Sequence, residues 1–329
     1  MPNMIRLHAW LCSLLCAFVL TAARAEPVHV VASFSILADI VSQVGGEHVR
    51  VTALVGAEQD AHVFQPRPSD AALVAKADLV VINGLGFEGW IERFIQSTGY
   101  RGPLRVAAEG VAAMSGRTAD GHRHGATGSH AARPHGHEHD PHHHAHAGAP
   151  GGEPPDPHAW QNPLNVAVYA RNVAAALAEV DPGHADAYRG NAERYARQLH
   201  ELDAWIAETL AAIPPARRKV ITSHAAMGYF GARYGVTFLA PQGLSTASEP
   251  SAREVAALIR QIRAEGVSAL FLESVTNAAL LRQIAAEAGV ALGGRLYSDA
   301  LSAPGGVAPT YLQLMRHNVQ SLAATMRPH

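Results

Sequence analysis

Four residues of the chain, His62, His158, His224 and Asp299, combine metal-competent side chains with positions where strands give way to loops. His62 follows a β-branched segment by a short loop, and His224 comes directly after Lys219-Val220-Ile221-Thr222 and Ser223. Asp299 follows a strand candidate ending at Tyr297-Ser298, and His158 sits in a proline-bounded loop before Asn162. In open parallel sheets, ligands gather beyond the carboxyl ends of the strands. Three imidazoles and one carboxylate make a donor set that suits tetrahedral Zn2+. Taken singly, each residue has a plainer reading. A lone histidine after a strand is more often hydrogen-bonded or at the surface, and Asp299 could simply cap the turn into Ala300-Leu301-Ser302. Spacing alone leaves both readings open.

Histidine is concentrated elsewhere as well. Of 20 in the chain, ten lie in one short segment: His122, His124, His130, His135, His137, His139, His142, His143, His144 and His146. Neutral imidazoles in a flexible cluster bind Zn2+, Cu2+ or Ni2+ in many geometries. The segment is expected to be an auxiliary, low-affinity metal loop that raises the local metal concentration; a solvated spacer is the alternative. From Gly110 to Glu153 the sequence is rich in His, Gly, Ala and Pro and nearly free of large aliphatic residues. It buries too little apolar area to offset the entropy of ordering, so a disordered loop is predicted over about 115–153.

The elements that must position the four candidates follow from the pattern. Val28 to Ser33, Val51 to Val55 and Asp78 to Ile82 read as strands of βαβ units, with Ser69 capping a short helix from Asp70 to Lys76. Asn162-Pro163 opens a helix to about Val180. After Asp181-Pro182, a second helix carries apolar residues at Tyr188, Ala192, Tyr195, Leu199, Leu202, Ile206 and Leu210 and stops before Pro214-Pro215. Roughly 30 helical residues reach about 45 Å, long enough for a spine between two domains. Strands at Lys219–Thr222, Ala269–Leu272 and Ala291–Tyr297 then alternate with helices. The helices are one opened by a Ser251–Glu254 capping box, one from Asn277 to Ala288, and a last from Thr310 to Met326. Gly293-Gly294 weakens the last strand.

The chain begins with an apolar run from Ala9 to Leu20 followed by Ala23-Arg24-Ala25, the pattern of a secretory signal peptide cleaved near Ala25/Glu26. Leu11 and Leu15 stand before Cys12 and Cys16 where a lipid-modified cysteine needs a small residue. Both cysteines lie in the signal, so disulfides and thiolate ligands are excluded from the mature chain. Without Arg6 and Arg24, 24 basic residues face 28 acidic ones, a formal net charge of −4. No basic stretch suggests nucleic acid, and no second apolar run suggests stable membrane insertion.

Several strings resemble the solute-binding proteins of zinc and manganese ABC transporters, the cluster A-I or ZnuA-like family. Gly56-Ala57-Glu58-Gln59-Asp60-Ala61-His62-Val63-Phe64-Gln65-Pro66 is similar to the family's first ligand loop. Asp156-Pro157-His158-Ala159-Trp160 matches its D-P-H-x-W element, and Ser223–Phe230 and Tyr297–Ser302 resemble its third and fourth segments. The resemblance spans nearly the whole mature chain. It implies that His62, His158, His224 and Asp299 are the metal ligands. It also implies two Rossmann-like α/β lobes with parallel sheets, joined by a long rigid backbone helix, with the metal in the interlobe cleft. The expected division is an N-terminal lobe over 26–180, a linking helix over 181–213 and a C-terminal lobe over 214–329. The implied function is capture of Zn2+ in the periplasm, by a monomer, and delivery to an inner-membrane ABC permease. Manganese binders of this type usually place a carboxylate where this chain has His224, and imidazole favours zinc. Manganese or iron cargo, or a zinc chaperone or buffer without an importer, are the alternatives. Ala61 departs from zinc binders that carry an acid before the first histidine, so Asp299 or a water completes the site. Glu273 is read as a neighbour of the site. A zinc hydrolase would need an open coordination position and a general base, as in H-E-x-x-H; the chain has no such motif and is expected not to be an enzyme.

Overall fold

The computed structural model describes residues 26–116, 154–267, 269–274 and 278–327. The expected signal peptide, the ten histidines from His122 to His146 and the predicted helix start at Asn277 lie outside these residues.

Two four-stranded sheets, both entirely parallel, organise the chain. The first contains β1 (Val28–Phe34), β2 (Val49–Val55), β3 (Leu79–Ile82) and β4 (Leu104–Val106), in the order β2-β1-β3-β4. The second contains β5 (Lys219–Ile221), β6 (Thr237–Leu239), β7 (Ala269–Glu273) and β8 (Leu292–Leu296), in the order β6-β5-β7-β8. The topology is the same in both. In each lobe the order reverses between the two middle strands, which opens a crevice beyond their carboxyl ends.

The helices are α1 (Ser35–Gly45), α2 (Pro68–Ala75), α3 (Ile91–Thr98), α4 (Pro163–Val180), α5 (Ala185–Ala211), α6 (Gly228–Tyr234), α7 (Ala252–Glu265), α8 (Ala278–Ala288) and α9 (Tyr311–Met326). Strand residues alternate between two cores, as the two-residue period of a pleated strand requires. Val30, Ala32, Leu79 and Val81 face a central core, whereas Val31, Val80 and Ile82 pack outward with Val74 of α2 and Ile91 and Ile95 of α3. In the second lobe Val220, Ala269 and Phe271 face the same central core, and Ile221 and Leu270 face α7 and α8. Coverage on both faces explains why these strands read as continuous apolar runs.

The central core runs unbroken from one lobe to the other through α5. Its buried positions include all seven predicted from the sequence, and Asp203 as well. At 27 residues the helix is about 40 Å long. It packs on α1 and α4 in the first lobe and on α9 in the second. Asp203 ties it to α6: its carboxylate accepts from Arg233 Nε at 2.8 Å, Arg233 Nη2 at 2.6 Å and the Tyr234 hydroxyl at 2.7 Å.

Local chemistry sets several boundaries. Asn162 caps α4 by accepting from Leu164 N at 3.0 Å, with Pro163 in the first turn. Ser251 and Glu254 form the expected capping box on α7. The cap of α2 differs from expectation. The helix starts at Pro68, and Arg67 rather than Ser69 is its N-cap. Proline holds the preceding residue extended, and the Asp70 carboxylate accepts from Arg67 N at 2.7 Å. Gly293 fits β8 because a Cβ there would stand 2.5 Å from the Phe271 ring. Residues 115 and 116, placed in the predicted loop, are instead paired: Ser115 bridges Pro155, Gly116 N donates to Pro154 O at 2.9 Å, and Asp156 N donates to Met114 O at 2.9 Å. The two ends of segment 117–153 therefore leave and return as a paired stem.

Two stability predictions follow from this packing. Gly293→Ala forces Phe271 aside and should cost about 1–3 kcal/mol in urea unfolding. Burial opposes the charge on Asp203, but Arg233 and Tyr234 outweigh it and lower its pKa. A lowered carboxylate contributes stability above its unfolded pKa of about 3.9 and loses it as pH falls through the folded value. Asp203→Asn should therefore cost about 1–2 kcal/mol at pH 6–8, the range for a partly exposed charged hydrogen bond, and the gap to wild type should narrow below about pH 4.

Candidate metal centre

The four sequence candidates converge where the two crevices meet. One ligand atom from each of His62, His158, His224 and Asp299 lies within 4.8 Å of the others. His62 Nε2 is 3.3 Å from His158 Nε2 and 3.4 Å from Asp299 Oδ2. His224 Nε2 is 2.9 Å from Asp299 Oδ2, and His158 Nε2 is 3.9 Å from Asp299 Oδ1. Ligands about 2.1 Å from a tetrahedral Zn2+ stand about 3.4 Å apart, so these separations have the right scale. His158, His224 and Asp299 are fully buried, and His62 nearly so.

The lobes contribute equally. His62 lies on the loop after β2, and His158 on the short segment before α4, directly after the stem. His224 follows β5 and Asp299 follows β8. Each is held from behind. Asp156 Oδ1 lies 2.8 Å from His158 Nδ1 and also accepts from His158 N at 2.9 Å. Glu273, the last residue of β7, puts Oε2 2.7 Å from His224 Nδ1. Its Oε1 accepts from Ser223 N at 2.6 Å and from His224 N at 3.2 Å. Carboxylates on the far nitrogens fix the ring orientation and leave both Nε2 atoms facing inward. Glu273 thus acts through His224, as a neighbour of the cluster. The expected departure at Ala61 has a structural counterpart: Ala61 is buried, and its carbonyl accepts from Trp90 Nε1 at 2.8 Å.

Ser298 carries Asp299 into place. Its carbonyl accepts from Trp160 Nε1 and Gln161 Nε2, both at 2.8 Å, and its hydroxyl donates to Glu273 Oε2 at 2.7 Å. The Trp160 carbonyl in turn accepts from Tyr311 OH at 2.7 Å. Beneath His158, Asn83 Nδ2 donates to Pro157 O at 3.0 Å and Asn83 N donates to the buried Glu88 at 2.7 Å. Asp156, Asn83 and Glu88 were not singled out by the sequence reading. For Asp156 a signal existed, an acid two residues before a histidine. For Asn83 and Glu88 there was none, because only the fold places them under His158.

Asp299 dominates the electrostatics. Although His224 Nε2 stands 2.9 Å away, no described donor meets either carboxylate oxygen at hydrogen-bonding angles. Burial opposes its charge, yet His224, His62 and His158 hold its pKa well below the ordinary carboxylate value. Burial likewise opposes charge on His224, but Glu273 and Asp299 outweigh it and raise its pKa well above the ordinary histidine value. A proton on His224 is therefore the natural competitor of a cation bound in the same space. Phe87 and Trp160 wall the cluster, 4.8 Å from the His62 ring and 5.3 Å from the His158 ring, centroid to centroid. Such walls lower the local dielectric and strengthen each charge interaction.

Comparison with known proteins agrees with this architecture. The family model described as "Zinc-uptake complex component A periplasmic" matches residues 30–325. A manganese-binding lipoprotein, MntA, of Halalkalibacterium halodurans is 29% identical over 304 residues, covering 92% of this chain and 90% of that protein. The iron-binding protein YfeA of Yersinia pestis is 29% identical over 299 residues, covering 91% and 86%. A Mn-bound periplasmic metal-binding protein from Candidatus Liberibacter asiaticus, an S38A mutant, superposes with a TM-score of 0.75 at 27% identity, covering 91% of this chain and all of that one. With two parallel α/β lobes, a spanning helix and this match along almost its whole folded length, the chain belongs to the family of zinc-uptake complex component A, the metal-binding substrate-binding components of metal ABC transporters, which are not enzymes.

Proposed function

We propose that the chain captures Zn2+ outside the cytoplasm at His62, His158, His224 and Asp299 and passes it to the permease of an ABC importer. The carrying observation is the convergence of three imidazole nitrogens and one carboxylate oxygen within 4.8 Å, in a buried space between two lobes. Three nitrogens with one oxygen favour zinc over a hard, oxygen-preferring ion, and the divalent affinity order points the same way. The metal is cargo. Its binding bridges the lobes and stabilises the closed form by mass action. All four positions are protein-filled, so the geometry supports holding the ion rather than activating a water. The signal-like leader supports a periplasmic location, with the chain acting as a monomer on the permease. Among the described residues, no helix is long and apolar enough to cross a membrane.

The names of the relatives favour a second reading, in which the same residues take manganese or iron. Metal competition separates the two. Metal-free protein titrated with Zn2+ and Mn2+ in turn should bind one equivalent at the buried site, with zinc displacing manganese; preferential retention of manganese would reverse the assignment. Asp299→Asn and His224→Ala should each weaken zinc binding at least 100-fold, since each removes a donor from a site with four.

Acidity provides an independent check. His224 must lose its proton to bind, and its pKa is raised in the metal-free protein. Zinc affinity should therefore fall steeply below about pH 6.5 and continue to rise above that value, until His224 has titrated. Calorimetry in buffers of different ionisation enthalpy should record proton release on binding. Glu273→Gln should flatten the rise above pH 6.5, because it removes one of the charges that hold the His224 proton.

A further inference from the structure

The loop that carries His62 touches the opposite lobe at a point outside the metal cluster. Asp60 Oδ1 accepts from His62 N at 2.9 Å, and Asp60 Oδ2 accepts from the Thr246 hydroxyl at 2.6 Å. Thr246 belongs to the segment between β6 and α7, in the second lobe. That segment is fastened to the His224 segment by two backbone hydrogen bonds, Ala225 N to Gly243 O at 3.0 Å and Gln242 N to Ser223 O at 3.3 Å. A continuous path therefore runs from the backbone of one candidate ligand, through Thr246 and Asp60, to the backbone of another in the opposite lobe. A second tie, Glu58 N to Leu301 O at 2.9 Å, joins the same loop to the chain just beyond Asp299. Glu58 itself adopts φ +58°, a left-handed conformation that a glutamate rarely takes. Such a conformation persists only where surrounding contacts hold it. His62 is also the one member of the four that is not fully buried.

We propose that Asp60 and Thr246 form an interlobe latch that sets the rate at which the bound metal leaves. This inference rests on the metal-capture reading and adds to it a positioning pair. Asp60 holds the backbone of His62 with one oxygen and the other lobe with its second. While both bonds stand, His62 is kept over the cluster. When the Thr246 bond breaks, the His62 loop keeps only its Glu58 contacts to the other lobe, with Leu301 O and Arg295, both before Asp60 in the loop, and His62 swings away first. Neither residue reaches the metal; both act through His62. A permease that pulled the 240–250 segment aside would open the site at its least buried ligand.

The test uses the full chain loaded with one equivalent of Zn2+ and mixed rapidly with excess chelator. Thr246→Val keeps the shape of the side chain and removes the hydroxyl. It should speed metal release about tenfold, equivalent to about 1.4 kcal/mol, while leaving metal stoichiometry unchanged. Thr246→Ser restores the donor and should release at the wild-type rate. Asp60→Ala combined with Thr246→Val should release no faster than Asp60→Ala alone, since Asp60→Ala has already removed the acceptor of the Thr246 hydroxyl. Release from Thr246→Val at the wild-type rate overturns the latch, and so does a Thr246→Ser variant as fast as Thr246→Val. Failure of the wild-type protein to retain Zn2+ or Mn2+ is a separate result, which removes the metal-capture reading itself.

Discussion

The site is governed by the burial of one carboxylate. Asp299 is wholly removed from solvent, and among the described residues no donor meets its oxygens at hydrogen-bonding angles. An isolated ion in such a place costs several kcal/mol after relaxation. The protein tolerates it by surrounding it with three imidazoles, which can carry protons or share a cation. Everything nearby serves to keep these groups together. Trp160 and Gln161 grip Ser298, Glu273 fixes His224, and Asp156 fixes His158. A charge that would be a defect in an ordinary core is here the reason a cation belongs.

The second constraint is the continuity of the core. The apolar residues of both sheets meet those of α5 in one cluster, with Tyr195, Leu199 and Leu202 buried between the lobes. Swinging the lobes apart as rigid halves would expose these side chains and strip α5 of its packing on α1 and α9. Hydrophobic burial of that extent resists a wide hinge. Outside this core the lobes are also tied at the carboxyl ends of the strands, by Glu58 N to Leu301 O and by the Thr246 hydroxyl to Asp60.

The sequence made the regular parts of this structure legible because each carries a local signal. The Asn162 cap, the proline after it, the three-and-four spacing along α5 and the Ser251–Glu254 box all reappear in the fold. The meeting of four residues whose separation in the chain reaches well over 200 positions carries no such local signal; only the family resemblance implies it. Short elements escaped. β4 and β6 have three residues each, too few to show a period. Ser69 has the side chain of a cap, but Pro68 holds Arg67 extended and places the cap two residues earlier. The Asp60–Thr246 contact had no sequence signature at all, since 186 positions separate an ordinary loop aspartate from an ordinary loop threonine. Patterns within one element are written along the chain; contacts between lobes arise only when two independent elements are brought face to face.

The stem formed by Met114–Gly116 and Pro154–Asp156 has a consequence for how such a chain can change over generations. Once two segments are clamped by backbone hydrogen bonds, the length of chain between them can change at little expense, because the entropy of closing a loop rises only with the logarithm of its length. Insertions, deletions and drifting histidine content would be absorbed there, while Asp156 and His158, immediately beyond the clamp, stay in register with the other lobe. Chain length on one side of the clamp can thus change without moving Asp156 and His158 on the other.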